Sequence, residues 1–207
     1  MKNDSIRADI TVGKKFSFGG IAWLVLAVVD FKLLLISEKT FEKRNYHDVN
    51  VYITWEGCTL RQYLNGEFYN NLGAEKKAIA ETRNNNFDNL WYGTSGGNET
   101  TDKIFLLSID EADKYFGDSG DYINKRRKNY RGSIEDKGGY IFNAYNESRI
   151  AKEGNGKEND WWLRSPGNGG NKAAFVFTEG RIIVDGHDVK YDFNGGKGVR
   201  PALWLNL

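Results

Sequence analysis

The heptapeptide WWLRSPG, residues 161–167, places two tryptophans beside an arginine and ends with a proline and a glycine. Successive side chains of a strand point to opposite faces, so an extended segment sends Trp161 to one face and Trp162 to the other. The two indoles then cannot form one stacking platform, and at least one is expected in the core. We expect Arg164 to make a buried contact with a carboxylate or with the backbone near the C-terminus. The stretch indicates a scaffold strand that leads into a loop at Asn168.

The segment nearest the N-terminus predicts a β-hairpin. Residues 21–36 form a long apolar run, but Asp30 and Lys32 interrupt it, and each half is too short to span a membrane. The β-branched and aromatic residues of the run predict two largely buried strands, 21–28 and 32–37.

A helical pattern follows the hairpin. In TLRQYLNGEFYNNL (59–72) the apolar residues recur at spacings of three and four. This spacing predicts a helix that buries one stripe, with Thr59 as its N-cap. Residues 73–82 predict a second short helix. Both helices are expected to pack on a sheet.

A strand and a capped helix are predicted in the next apolar segment. Residues 103–107 indicate a buried strand, and Ser108 followed three residues later by Glu111 forms a capping box. The capping box accounts for both side chains, so a catalytic role for this acidic cluster is disfavoured. The helix is expected to end near Phe116.

Long loops are predicted in the polar part of the chain, residues 117–160, which is rich in glycine and asparagine. Within it, the basic stretch NKRRKNYRG (124–132) could contact phosphates. Neighbouring acids and the neutral total charge favour a solvated loop instead.

The last part of the chain predicts short antiparallel strands. Residues 173–184 alternate around a Glu179-Gly180 turn, which is typical of a β-hairpin, and 186–193 and 198–207 predict further strands. Pro201 has no N–H to give to a ladder, so it belongs at an edge, a bulge or the beginning of a strand. Together these segments predict an α+β domain with segregated helices.

Composition bears on partners and location. The chain has 29 Lys and Arg against 28 Asp and Glu, a net charge of +1, so no global charge attracts nucleic acid or an anionic membrane. We expect neither partner. Cys58 is the single cysteine, which excludes an intramolecular disulfide. Residues 1–15 are interpreted as a polar tail without an export signal, with the cytoplasm or a phage particle as the default location. Residues 16–207 are expected to form a single domain.

Six blocks resemble, in the same order, a family of bacterial and phage domains known only as a domain of unknown function. The blocks are FGGIAWLVL (18–26), LLLISEKT (33–40), TWEGCTLRQYLNGEFY (54–69), TDKIFLLSIDEADKYF (101–116), WWLRSPG (161–167) and GVRPALWLNL (198–207). That family is similar in layout to the C-type-lectin-like fold of formylglycine-generating enzymes and of the variable receptor-binding proteins of diversity-generating retroelements.

The resemblance implies a particular architecture. It implies mixed, mostly antiparallel sheets with two to three flanking helices, paired terminal strands and long loops that carry binding. Arg200 lies in a Gly-Val-Arg segment that resembles the Gly-Phe-Arg ending common in the wider group. We therefore expect Arg200 to be a structural residue, together with Trp161, Trp162 and Arg164.

The same resemblance shows which activities are disfavoured. Formylglycine-generating enzymes need a cysteine pair, whereas Cys58 stands alone. Calcium-dependent sugar lectins use Glu-Pro-Asn and Trp-Asn-Asp ligand sets, whereas Glu158, Asn159 and Asp160 stand in a different order. No nucleophile motif or phosphate-binding glycine loop is recognisable. We assign no catalytic residue, no metal and no cofactor.

The leading hypothesis is a noncatalytic module that binds a protein or a glycan. Asparagine and glycine are concentrated in two predicted loops, 84–98 and 168–172, and the first also carries Tyr92; this composition is typical of adaptable binding surfaces. The predicted ligand-binding residues in these loops are Trp91, Tyr92, Asn168 and Asn171. The alternative that both loops are merely turns stays open.

Two further classes of function remain open. The first is an enzyme with an unfamiliar site around Asp185, His187 and Asp188, although a solvated turn is favoured over a metal site at these residues. The second is a structural or phage-assembly component that oligomerises through an aromatic face.

Overall fold

A computed structural model describes residues 10–129, 139–191 and 195–207. The strands are β1 Lys15–Phe18, β2 Ile21–Val29, β3 Lys32–Ser37, β4 Lys43–Arg44, β5 Thr82–Asn84, β6 Thr100–Asp102, β7 Tyr140–Ile141, β8 Ala151–Lys152, β9 Glu158–Asn159, β10 Trp161–Pro166, β11 Lys172–Val176, β12 Ile182–Asp188, β13 Lys197–Gly198 and β14 Ala202–Asn206. Helix α1 comprises Thr59–Tyr63, the π-helical Leu64–Phe68 and Tyr69–Asn71, and is followed by α2 Ile109–Tyr115, α3 Asp121–Asn129 and α4 Asn146–Arg149. Short 3₁₀ helices span Trp55–Gly57 and Gly73–Ala78. Among these described helices, none is long and apolar enough to cross a membrane.

Two sheets form the scaffold. The first has the order β1-β2-β3-β14, and all its pairs are antiparallel. The second has the order β4-β13-β10-β11-β12-β7, and only its β10–β13 pair is parallel. Two small sheets pair β5 with β6 and β8 with β9. Mostly antiparallel sheets with separate helices confirm the predicted α+β class.

The predicted N-terminal hairpin is confirmed as β2 and β3. Its two turn residues, Asp30 and Phe31, have φ values of 45° and 62°, as expected for a tight hairpin turn whose twist matches that of its strands. Strand β3 is buried almost throughout, whereas β2 alternates between buried and partly exposed residues. The burial predicted for both strands therefore holds mainly for β3.

The last strand completes this sheet. Strand β14 pairs antiparallel with β3, and Pro201 directly precedes it. The carbonyl of Pro201 accepts a hydrogen bond from the Ser37 N–H at 2.9 Å. Proline therefore stands at the beginning of the strand, one of the three positions predicted for it.

The predicted tail joins the sheet sooner than expected. The Gly13 N–H donates to the Val25 carbonyl and the Val25 N–H to the Lys14 carbonyl, both at 2.9 Å, so pairing extends before residue 15. Residues 1–9 lie outside the described part of the chain.

The start of helix α1 corrects the predicted cap. The N-cap is Cys58, not Thr59, and its Sγ accepts from the Arg61 N–H at 3.4 Å. Thr59 is already the first helical residue. The middle of α1 widens into a π-helix that contains Gly66, the residue expected to weaken it. The second predicted helix is a 3₁₀ helix, Gly73–Ala78.

The strand predicted at 103–107 is wrong, although the capped helix after it is confirmed. Residues 103–107 are mostly buried, but their strand pairing is limited to an isolated bridge between Phe105 and Ala202. The side-chain oxygen of Asn65 accepts from the N–H groups of Lys103 and Ile104, which takes these groups out of a strand ladder.

The capping box is present in the predicted form. The Ser108 Oγ accepts from the Glu111 N–H at 3.1 Å, and a Glu111 carboxylate oxygen accepts from the Ser108 N–H at 2.9 Å. Helix α2 then ends with Phe116 as its C-cap.

The basic stretch is partly helical, which corrects the predicted loop. Residues 124–129 belong to α3. The Asp118 carboxylate stabilises the first turn of this helix, because it accepts a hydrogen bond from the Tyr122 N–H at 2.9 Å. The Arg127 guanidinium pairs with Asp110 at 2.6 Å, so this cation is bound within the protein. Residues 130–132 lie outside the described part of the chain.

The WWLRSPG segment forms β10, and all its strand residues are buried. The Trp161 Nε1 donates to the Arg149 carbonyl at 3.1 Å, and the Trp162 Nε1 donates to the Arg44 carbonyl at 2.8 Å. The two rings have different neighbours, Phe116 for the first and Tyr46 with Phe175 for the second. Both indoles are core.

The two arginines predicted to be structural are buried as well. Arg164 pairs through both terminal nitrogens with the Glu111 carboxylate and donates to the Leu106 carbonyl at 2.8 Å. Arg164 therefore contacts a carboxylate, which was one of the two partners predicted for it. Arg200 donates from Nε to the Ser37 carbonyl at 3.0 Å.

Candidate functional site

Loop 84–98 is attached to the second sheet by one buried amide. The Asn89 Nδ2 donates to the carbonyls of Pro166 and Val184 at 2.8 and 2.7 Å, and its Oδ1 accepts from the Trp91 N–H at 2.9 Å. Every hydrogen-bonding group of this side chain is thus used to fix the loop to β10 and β12. The two loops predicted to bind are therefore neighbours. Asn89 itself was missed, because nothing in the sequence distinguishes it from the asparagines around it.

The loop after β10 rests on the far end of β12. The Asn168 N–H donates to the Asp185 carbonyl at 2.8 Å, and the Val189 N–H donates to the Asn171 carbonyl at 2.9 Å. These bonds position the loop at both of its ends. Asn168 is exposed and Asn171 is half-buried.

A third loop, 48–54, completes the surface. The Ile53 N–H donates to the Gly170 carbonyl at 2.9 Å, and the Asn171 Nδ2 donates to the Asn50 Oδ1 at 3.3 Å. The Tyr52 ring packs directly against Gly170, while 64 % of the residue is exposed. Sequence reasoning missed Tyr52, because the loop in which it lies carries no motif.

We call this surface the loop face; it comprises loops 48–54, 84–98 and 167–172 together with Asp185. Three of the four predicted ligand-binding residues, Tyr92, Asn168 and Asn171, are at least partly exposed on it. Trp91 differs, because it is only 5 % exposed.

Trp91 supports the loop from beneath. The Arg126 guanidinium lies 4.4 Å from the centroid of its ring. A tryptophan in this position contributes packing to the loop, and its ring is not presented to a ligand in this structure.

Asp185 contributes a carboxylate to the loop face. Burial raises the pKa of Asp185 above its usual value. Burial and the charge of Asp185 both raise the pKa of Tyr92. Tyr92 therefore remains a neutral phenol that can donate or accept a hydrogen bond at neutral pH.

The segment Asp185-Gly186-His187-Asp188 is part of β12, which corrects the predicted turn. Gly186 has φ 71°, and a Cβ there would lie 2.5 Å from the Ala173 carbonyl oxygen, so the strand approaches its neighbour where only glycine fits. The pairing of β11 with β12 shifts register at this point.

His187 is turned to an aromatic cluster. Its ring centroid lies 4.1 Å from that of Tyr191, and its Nδ1 accepts from the Asp188 N–H at 2.9 Å. Burial and the nearby Lys197 charge lower the pKa of His187. Across the described ranges, no three His, Cys, Asp or Glu side chains come together in a group that could hold a metal ion.

Lys197 is a buried charged residue near the rings of His187 and Tyr191. Lys197 is 4 % exposed, and its Nζ lies 3.1 Å from a carboxylate oxygen of Asp160 and 3.6 Å from the centroid of the Phe175 ring. Burial lowers the pKa of Lys197, against the effect of Asp160. The side chain lines a cleft of about 250 Å³, but the ion pair and the ring account for its ammonium as a structural contact.

Fold and site together define an α+β domain with loops gathered on one face. The model of the family described as Domain of unknown function (DUF6273) matches residues 31–207, and the chain belongs to that family. No curated protein and no solved structure matched the chain. Strands β1 and β2 both lie before the matched residues but complete the first sheet.

Proposed function

We propose that this domain is a noncatalytic recognition module that binds a protein or a glycan through the loop face. The observation that carries the proposal is the buried amide of Asn89, which brings two loops rich in asparagine and glycine, one of them carrying Tyr92, together on a rigid sheet. Tyrosine supplies contact area at low entropic cost, and asparagine supplies adaptable hydrogen bonds. Fixing loops before binding reduces the ordering cost of association. The near-zero net charge supports a ligand other than nucleic acid or a membrane.

The C-type-lectin-like layout and a bacterial or phage origin are part of this proposal. The pairing of β14 with β3 supports the layout, because it joins the end of the chain to the N-terminal hairpin. The concentration of irregular loops at one face supports it as well. The layout rests on resemblance at the level of fold, and the origin rests on the resemblance of the six sequence blocks.

Recognition is favoured over catalysis by the position of the histidine. An active site around Asp185 and His187 needs both side chains to reach one reacting group. The His187 ring packs against Tyr191 and its Nδ1 already accepts from the Asp188 N–H, so contacts within the protein account for this side chain without a reacting group.

Binding to defined probes tests the proposal. A glycan microarray and a displayed random-peptide library would be screened with the unaltered chain, with a Tyr92→Ala/Asn168→Ala variant and with a Tyr69→Ala/Asn71→Ala control on helix α1. We expect ligands that bind the unaltered chain and the control equally and the loop-face variant at least about tenfold more weakly. Equal binding by all three proteins, or no ligand from either screen, would overturn the proposal.

A further inference from the structure

Tyr52 is the most exposed tyrosine ring on the loop face, and it is held in place from one side. A Cβ at position 170 would lie 1.8 Å from Cδ2 and 2.0 Å from Cε2 of the ring, so the ring occupies the space that only glycine leaves free. The backbone hydrogen bond between Ile53 and Gly170 holds the two loops at this separation. An exposed ring that is already seated loses little rotamer freedom when a ligand binds.

Neutral amides border this ring. Asn50 and Asn171 lie beside the Tyr52–Gly170 contact, joined by their own 3.3 Å hydrogen bond, and the exposed Asn168 precedes Gly170 on the same loop. Each amide carries two N–H donors and one carbonyl acceptor. These amides can pair with the hydroxyl groups of a ligand, which also donate and accept hydrogen bonds. Such contacts require no charge on the ligand.

We infer that Tyr52, seated on Gly170 and bordered by Asn50 and Asn171, is the stacking platform for a pyranose ring of a neutral glycan, with Asn168 exposed on the same loop. The C–H face of a sugar ring packs on an aromatic face, and its hydroxyls reach the surrounding amides. The inference rests on the proposed recognition function and gives its ligand a chemical class. A single ring with a neutral polar border is suited to one sugar unit, whereas protein anchors favour a packed, desolvated cluster.

The loop also offers a control that separates a glycan from a protein. Val49 and Val51 are 56 % and 43 % exposed and both lie within three residues before Tyr52 in sequence. An apolar protein partner would bury these valines together with the ring, whereas a sugar on the ring needs neither. The Val49→Ser/Val51→Ser variant therefore removes the apolar neighbours and leaves the platform intact.

The test uses a microarray of neutral oligosaccharides, namely β-glucan, mannan, galactan and chitin fragments, followed by calorimetry with the best binder. Tyr52→Phe should bind within about threefold of the unaltered chain, because the ring remains, and Tyr52→Ala should bind at least about tenfold more weakly. Gly170→Ala should weaken binding similarly, because the added Cβ displaces the ring. The valine variant should bind normally. Circular dichroism and thermal melting would show that each variant is folded.

Several results would overturn the inference. Glycan binding that survives both Tyr52→Ala and Gly170→Ala would place the sugar elsewhere. If the array is blank while selected peptides lose binding in Tyr92→Ala/Asn168→Ala, the glycan inference fails and the recognition function stands. Peptide binding that depends on Tyr52 and the two valines would assign the surface to a protein partner. If both screens are blank, both proposals fail.

Discussion

Replacing Asp113 by asparagine should stabilise this domain at neutral pH. Asp113 lies in helix α2 and is fully buried, and neither of its carboxylate oxygens has a hydrogen-bond partner of normal geometry among the described residues. Burial and then the charge of Asp118 raise its pKa to about 6, against the opposing charge of Arg149. The ionised carboxylate is therefore a destabilising feature of the folded state.

The size and sign of the effect follow from the change in pKa on folding. The pKa rises from a usual value near 3.8 to about 6 in the folded state. The protonated carboxyl favours the folded state below about pH 4, and this advantage is lost as the pH rises through about 6. This rise in the pKa on folding corresponds to at most about 3 kcal/mol in the free energy of unfolding. Asp113→Asn, which stays neutral, should raise the free energy of unfolding at about pH 7.5 by about 1–3 kcal/mol and leave it nearly unchanged at about pH 3.

Urea denaturation followed by circular dichroism across this pH range would measure the effect. Asp121→Asn, at the exposed start of helix α3, is the matched control and should change stability by less than about 0.5 kcal/mol at every pH. A difference between Asp113→Asn and the unaltered chain that is the same at both pH values would refute the reasoning. So would a loss of stability at pH 7.5.

Three other predictions concern the scaffold and the loop face. Arg164→Met should lower the free energy of unfolding by about 3–5 kcal/mol, because it leaves the Glu111 carboxylate without its buried partner. Thermal melting would measure this loss, and a loss under about 1 kcal/mol would argue against the prediction. Asn89→Ala should cost about 1–3 kcal/mol and speed amide hydrogen exchange in loop 84–98, whereas the exposed Asn85→Ala should do neither. Cys58 is buried, and burial raises the pKa of its thiol to about 12. Iodoacetamide should therefore label Cys58 at about pH 8 only after denaturant is added, and rapid labelling of the folded chain would contradict this prediction.

Local sequence signals predicted the elements that depend on local chemistry. The Ser108 capping box needs only two side chains three residues apart, and it is present as expected. The hairpin of β2 and β3 follows from its apolar strands and from the polar residues Asp30 and Lys32 that interrupt the apolar run at the turn. Strand alternation in β10 was sufficient to predict that Trp161 and Trp162 would not form one platform, because the period of a strand does not depend on tertiary context.

Features set by distant residues could not be predicted in this way. Residues 103–107 have the composition of a strand, but Asn65, about forty positions earlier, takes two of their N–H groups. Trp91 was expected on the surface, and it is covered by Arg126 from a helix that the basic composition of its segment concealed. Tyr52 owes its position to Gly170, more than a hundred residues away in sequence. Such contacts have no periodicity to detect.

The placement of β13 and β14 has a consequence for biosynthesis. Strand β13 lies between β4 and β10 in the second sheet, and β14 closes the first sheet against β3. Neither sheet can be completed on the ribosome until residues 197–206 have left the exit tunnel. The earlier strands must wait with open edges, which are sites for mispairing with other nascent chains. The domain therefore folds after translation of its last strands, and a chain released before residue 197 would lack strands from both sheets at once.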